Sequence, residues 1–201
     1  MSAIIIDDKI VHYEVLGRGK PIVFLHGWVG SWRYWIPTMQ AASTTFRAYA
    51  LDLWGFGDSA KESNHYTLEK QTELLDEFLN RMGIGKVAIV GHGLGAVVAM
   101  LYASKHAFVV DRIMGISLPL EKMGLIEKLT DETPTELVNR LVEQTPATEP
   151  ARSDAPKTDK LAIKISLEDM KLINLLDVSK LLGTAALLVH GQKDPVIGTP
   201  E

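Results

Sequence analysis

A short apolar run, Lys86-Val87-Ala88-Ile89-Val90, leads directly into Gly91-His92-Gly93-Leu94-Gly95 and then into residues 93–106, a stretch rich in small side chains. A strand that closes through glycines onto a helix leaves few architectures open, because the helix must fold back over the sheet it has just left. The same grammar recurs along the chain. Residues 21–26 are apolar without alternation and stop at Gly27, Phe46–Leu51 stops at Asp52, and residues 112–118 and 185–190 add two further short runs. Unbroken apolar runs fit strands covered on both faces. Between them, residues 66–82 place Leu68, Thr72, Leu75, Phe78, Leu79 and Met82 at helical spacing, ahead of Gly83 and Gly85. Lys9–Leu16 reads as one more strand, closed at Gly17, and residues 31–43 read as a weaker helix. The expected fold class is therefore α/β, a mostly parallel sheet with helices on both faces.

The strand signal disappears over residues 121–182. Thr133-Pro134-Thr135-Glu136 joins a cap residue, a first-position proline and a capping-box glutamate, and Ser166 with Asp169 offers a second such start. Two or three helices are expected here. Residues 145–158 carry Pro146, Pro150 and Pro156 with almost no large apolar side chain, which predicts a mobile linker. The reading is thus a core over residues 1–120, a helical cap over 121–182 and a late core strand with its following turn over 183–201.

Composition narrows the partners. With 201 residues, 46% hydrophobic and 23% charged, the chain has the usage of one soluble domain, and a net charge of −4 offers no basic field to a phosphate backbone or an anionic membrane surface. Nucleic acid and membrane are not expected partners. There are no cysteines, so disulfide scaffolds, cysteine metal sites and thiol chemistry are excluded. No metal or other cofactor is expected. The N-terminal apolar run, Ile4-Ile5-Ile6, is too short for a secretory signal and lacks its positive flank, so a cytoplasmic protein is expected.

Four motifs stand in a fixed order: His26-Gly27-Trp28-Val29-Gly30-Ser31, Asp52-Leu53-Trp54-Gly55-Phe56-Gly57-Asp58-Ser59, Gly91-His92-Gly93-Leu94-Gly95, and Leu187-Leu188-Val189-His190-Gly191-Gln192-Lys193-Asp194. Each follows or ends a strand. Together they make the chain resemble the α/β-hydrolase superfamily, in its esterase and haloperoxidase-like branch, over nearly all its length. The resemblance implies roles position by position. In G-x-S-x-G elbows the central serine is the nucleophile, and here that position is Gly93. The implied oxyanion hole uses the backbone N–H groups of Trp28 and Leu94, which do not depend on side-chain identity. Asp194 matches the acid that orients a catalytic histidine, or else it is a turn aspartate before Pro195. None of the six histidines fits the catalytic place. His26, His92 and His190 stand in motif turns, and His12, His65 and His106 read as structural. The resemblance also implies one more strand and helix after Asp194, so a C-terminally truncated fold is expected.

The resemblance therefore implies a relative of small-molecule ester hydrolases that is silent as a serine hydrolase in this form. An alternative is a small-molecule binding protein that keeps the pocket and amides to hold a carbonyl compound. A third reading, an active enzyme using Asp52, Asp58, Ser31 or Ser59, is weaker, because turn hydrogen bonds explain those residues better. Trp28, Trp32, Trp35 and Trp54 either line the cleft or belong to the core. An exposed late strand, with Leu187, Leu188 and Val189 losing cover, predicts a homo-oligomer or a complementing chain.

Overall fold

The computed structural model describes residues 2–120, 129, 132–194 and 196–197. Seven strands form one sheet: β1 (Ser2–Ile6), β2 (Lys9–Leu16), β3 (Lys20–Leu25), β4 (Phe46–Leu51), β5 (Val87–His92), β6 (Val110–Ile116) and β7 (Ala185–Val189), in the order β1-β2-β4-β3-β5-β6-β7. The first two pairings are antiparallel, β1 with β2 and β2 with β4. All later pairings are parallel. The mostly parallel α/β architecture is as the sequence implied. β1 is an addition, since its alternating Ser2–Ile6 segment pairs with β2 through a two-residue turn at Asp7 and Asp8, both with positive φ.

Burial alternates along β5, with Val87, Ile89 and Gly91 buried and Ala88, Val90 and His92 less so. The first set faces α3 (Leu94–Lys105), which is buried from Leu94 to Ala103 because it lies between the sheet and its neighbours. α2 (Leu68–Arg81) packs beside it through Leu68, Leu75, Phe78 and Leu79, with Thr67 capping its first turn. On the other face, α1 (Ile36–Ala42) covers a smaller cluster of Phe24, Trp35, Met39, Ala48 and Ala50. A groove of about 1260 Å³ runs along Ile22, Ala88, Met114 and Leu187 toward the amino ends of the strands.

After β6 the described chain forms α4 (Pro134–Leu141), α5 (Glu149–Asp154), α6 (Lys160–Met170) and α7 (Leu175–Lys180). The start at Thr133 is as read, including its reciprocal bonds with Glu136. The start at Ser166 is not: Ser166 sits inside α6, whose cap is Asp159, accepting from the Leu161 N–H. A serine in a helix interior can bond back to the preceding turn, and Ser166 Oγ does so to the Ala162 carbonyl at 2.6 Å. Residues 145–158, expected as a mobile linker, instead form α5 and a 3₁₀ turn at Ala155–Lys157. Pro150 and Pro156 stand in the first turns, where a missing N–H costs nothing, and Asp154 and Ala155 are buried. Residues 121–128 of the expected cap, Pro195, and the last four residues lie outside the described residues. Among the described residues, no helix is long and apolar enough to cross a membrane.

Candidate active site

The carboxyl ends of β3, β4 and β5 converge where loops carry the polar residues, which is where open α/β sheets place their ligands. Gly93 is the hinge between β5 and α3. Its φ of 50° and ψ of −112° put it in a region that L side chains enter only under strain. Its N–H donates to the Ile116 carbonyl at 2.9 Å, and its own carbonyl accepts from Ala96 and Val97, so the turn is pinned on both sides. Gly95 then passes the end of β3: a Cβ there would stand 2.3 Å from the Leu25 carbonyl oxygen. The Gly95 N–H donates to the His26 carbonyl at 3.0 Å, which holds the start of α3 against the loop after β3.

That loop brings Trp28 over the hinge. A Cβ built on Gly93 would lie 3.2 and 3.3 Å from Cε3 and Cζ3 of the Trp28 indole. Among the described residues, no turn, loop or side-chain acceptor takes the N–H of Trp28, and Leu94 offers the first N–H of α3. Unclaimed amides at a helix start are donors of the kind that favour a developing oxyanion.

The loop is braced from beneath. His26 is fully buried; its Nε2 accepts from the Leu53 N–H at 3.0 Å, which leaves Nδ1 to donate to the Gly27 carbonyl at 2.8 Å. Burial lowers its pKa, so it is a neutral cross-link between the loops after β3 and β4. The Gly27 N–H donates to Tyr34 Oη at 2.5 Å, and Tyr34 Oη lies 3.3 Å from His92 Nδ1. Burial lowers the pKa of His92 as well, partly offset by the charge of Asp194.

Asp194 thus lies within electrostatic reach of the residue beside Gly93. Its Oδ1 accepts the N–H groups of Val196 and Ile197 at 2.9 Å each, as a turn aspartate does, and its Oδ2 accepts from Ser117 Oγ at 2.6 Å. Burial works to raise its pKa, but these donors hold it below the ordinary carboxylate value. Ser117, with φ 48°, is a strained residue at the end of β6 that sequence reading missed.

The other candidates are occupied elsewhere. Asp52 is fully buried; Oδ2 accepts from His12 Nδ1 at 2.9 Å and from the Asp58 N–H at 3.0 Å, and Oδ1 accepts from the Trp32 N–H at 2.7 Å. Ser59 Oγ donates to the Asp52 carbonyl and accepts the His12 N–H. Ser31 Oγ donates to Asp154 at 2.5 Å, where Arg33 Nε also donates, and Lys157 Nζ joins Asp58 to Asp154. His12, Asp52 and Asp58 bring donor atoms within 4.8 Å of one another, the one such group among the described residues. Its oxygens are already engaged by His12, backbone N–H groups and Lys157, which describes an ion-pair network rather than a metal centre. Trp35 and Trp54 are core residues, and Trp28 is the tryptophan that reaches Gly93.

Comparison with known proteins bears on the fold. A family model described as the alpha/beta hydrolase fold matches residues 20–168. The soluble epoxide hydrolase of Corynebacterium sp. (strain C12) is 34% identical over 103 residues, covering 51% of this chain and 36% of that protein. The pimeloyl-[acyl-carrier protein] methyl ester esterase of Vibrio cholerae is 34% identical over 107 residues, covering 53% of this chain and 40% of that protein. The match thus spans well under half the length of these curated relatives. A solved hydrolase from Pseudomonas aeruginosa superposes with a TM-score of 0.85 at 17% identity, over 98% of this chain and 82% of that one, a likeness of fold.

Proposed function

This chain belongs to the α/β-hydrolase fold family, and on that premise we propose that it derives from small-molecule ester hydrolases and is silent as a serine hydrolase because its elbow carries no nucleophile. The observation that carries this is Gly93, which holds the strained strand-to-helix conformation of an elbow and presents only a hydrogen. Acyl transfer needs an oxygen or sulfur to attack the ester carbon before the amides can stabilise the resulting oxyanion. On this reading the amides of Trp28 and Leu94 would serve as oxyanion donors and Asp194 as the acid, but the attack has no origin at residue 93. What remains is stabilisation and binding, worth roughly 10³ to 10⁴ over water in enzymes stripped of a catalytic group.

The relatives support the hydrolase lineage, and the methyl ester esterase supports an ester substrate for its ancestor. The unclaimed Trp28 amide supports the second reading, a protein that holds a small carbonyl compound without converting it. Steady-state hydrolysis of p-nitrophenyl acetate tests the first. The expected rate is at most that residual of roughly 10³ to 10⁴ over the uncatalysed reaction, and turnover well above it contradicts the reading. Calorimetric titration with acetate and acetamide separates a silent relic, which gives no heat of binding, from a binder.

A further inference from the structure

We propose that the amino-terminal end of the parallel strands is a docking surface for an anionic lipid bilayer, with Phe108 and Leu181 entering the interface and a row of lysine and arginine side chains meeting the headgroups. β3 to β7 run parallel, so the segments leading into them lie together at one end of the sheet, opposite the end that carries Gly93. Contacts fix the neighbours there. The Val87 N–H donates to the Val109 carbonyl at 2.9 Å, Thr184 Oγ1 donates to the Val110 carbonyl at 3.3 Å, and a Cβ on Gly183 would stand 3.3 Å from that of Ala107. The turn that His106 closes by accepting from the Val109 N–H therefore runs beside the loop before β7. Phe108 in the first is 98% exposed and Leu181 in the second 70%. Neighbouring large apolar side chains left in water beside charged ones mark a contact surface.

The charged side chains come from the same end. Lys20 opens β3 and, because Ile22 pairs with Ala88, lies alongside Lys86 at the start of β5; Arg112 pairs with Ala88 from the other side. Lys105 ends α3, three residues before Phe108. All four are exposed. Asp111 accepts from Arg112 at 2.9 Å and lies 3.8 Å from Lys86, and Lys180 is paired with Asp177 at 2.7 Å. Among the described residues, a positive surplus thus borders the apolar loops. The overall charge of −4, which argues against an anionic surface when read from composition, is unevenly placed. Lysine and arginine are drawn to anionic headgroups within a Debye length, and aromatic rings sit well at headgroup depth. A protein partner would need a pocket shaped for Phe108, whereas a fluid interface needs none. Five strand ends spaced about 4.8 Å apart make a face about 20 Å wide, suited to a flat partner. The six-residue strands then hold the Gly93 end about 20 Å above the bilayer, facing water, so its ligands would be dissolved compounds rather than lipids.

Sedimentation with extruded vesicles tests this. The chain should bind phosphatidylcholine vesicles containing about 30% phosphatidylglycerol at least about tenfold more tightly than pure phosphatidylcholine, and about 0.5 M sodium chloride should remove most of the difference. Phe108→Ser and Leu181→Ser should each weaken binding by about fivefold or more, and Lys86→Glu with Arg112→Glu by about tenfold or more, with circular dichroism unchanged. Absence of binding by the parent, or equal binding to both vesicles, overturns the proposal. Because the chain has no cysteine, a second measurement places one nitrobenzoxadiazole label on Phe108→Cys. Its emission should rise on adding anionic vesicles. The same label on Leu172→Cys, at a position 85% exposed beside Asp169 and the start of α2, toward the other end of the sheet, should not respond. No response at Phe108→Cys, or equal responses at both positions, overturns the proposal.

Discussion

Glycine at residue 93 relieves a backbone that a side chain would strain. Gly93→Ser is expected to lower unfolding stability by about 1–3 kcal/mol, read from urea denaturation, because φ 50° disfavours any Cβ and the Trp28 ring must yield to make room. An increase in stability would show that the turn is not a strained elbow. At this scale the sequence was informative where the chemistry is local. Gly93, Leu94 and Trp28 are legible because each stands within a motif beside its strand. Ser117, Asp154 and Ser166 are not, since their partners Asp194, Ser31 and Trp28 lie 77, 123 and 138 positions away and no local pattern announces them.

Among the elements, Asp154 and α6 tie the helices after β6 to the loops after β3 and β4 and to the start of α2. Asp154 accepts from Ser31 and Arg33 and pairs with Lys157; its burial would raise its pKa, but these donors hold it below the ordinary carboxylate value. Its stabilisation is therefore present above the unfolded carboxylate value and is lost as pH falls below it. Asp154→Ala is expected to cost about 2–4 kcal/mol near neutral pH, since it strands Ser31 and removes a buried charge partner, and a loss below about 0.5 kcal/mol in thermal unfolding would show the contact to be incidental. The errors of sequence reading also sit at this scale. Ser166 and Asp169 mimic a capping box but serve Trp28 and the start of α2, while Pro150 and Pro156 open helical turns instead of preventing them. β1 escaped notice because its hairpin turns on Asp7-Asp8, without the glycine that usually marks such a turn. The core strands, by contrast, were legible because strands buried on both faces must be apolar throughout.

For the whole molecule, three histidines with displaced pKa values, His12, His26 and His92, shape the response to mild acid. Burial lowers the pKa of His26 and His92, so the unfolded chain takes up protons first and their contribution falls as pH drops through about 6.5. His12 opposes them: its burial would lower the pKa, but the hydrogen bond and charge of Asp52 raise it overall, so its contribution is full below about 6.5 and fades as pH rises above that. The melting temperature is expected to fall between about pH 7.5 and about pH 5.5, and to fall more steeply in His12→Gln. An equal or shallower slope in that variant would contradict the assignment.

On the proposed function, the elbow at Gly93 holds no group able to attack a carbonyl or phosphoryl centre. Incubation with a fluorophosphonate followed by intact-mass spectrometry tests it in one step. The chain should keep its unmodified mass at reagent levels that fully label a serine esterase. A stoichiometric adduct on a residue bordering the amides of Trp28 and Leu94 would show that another nucleophile works there.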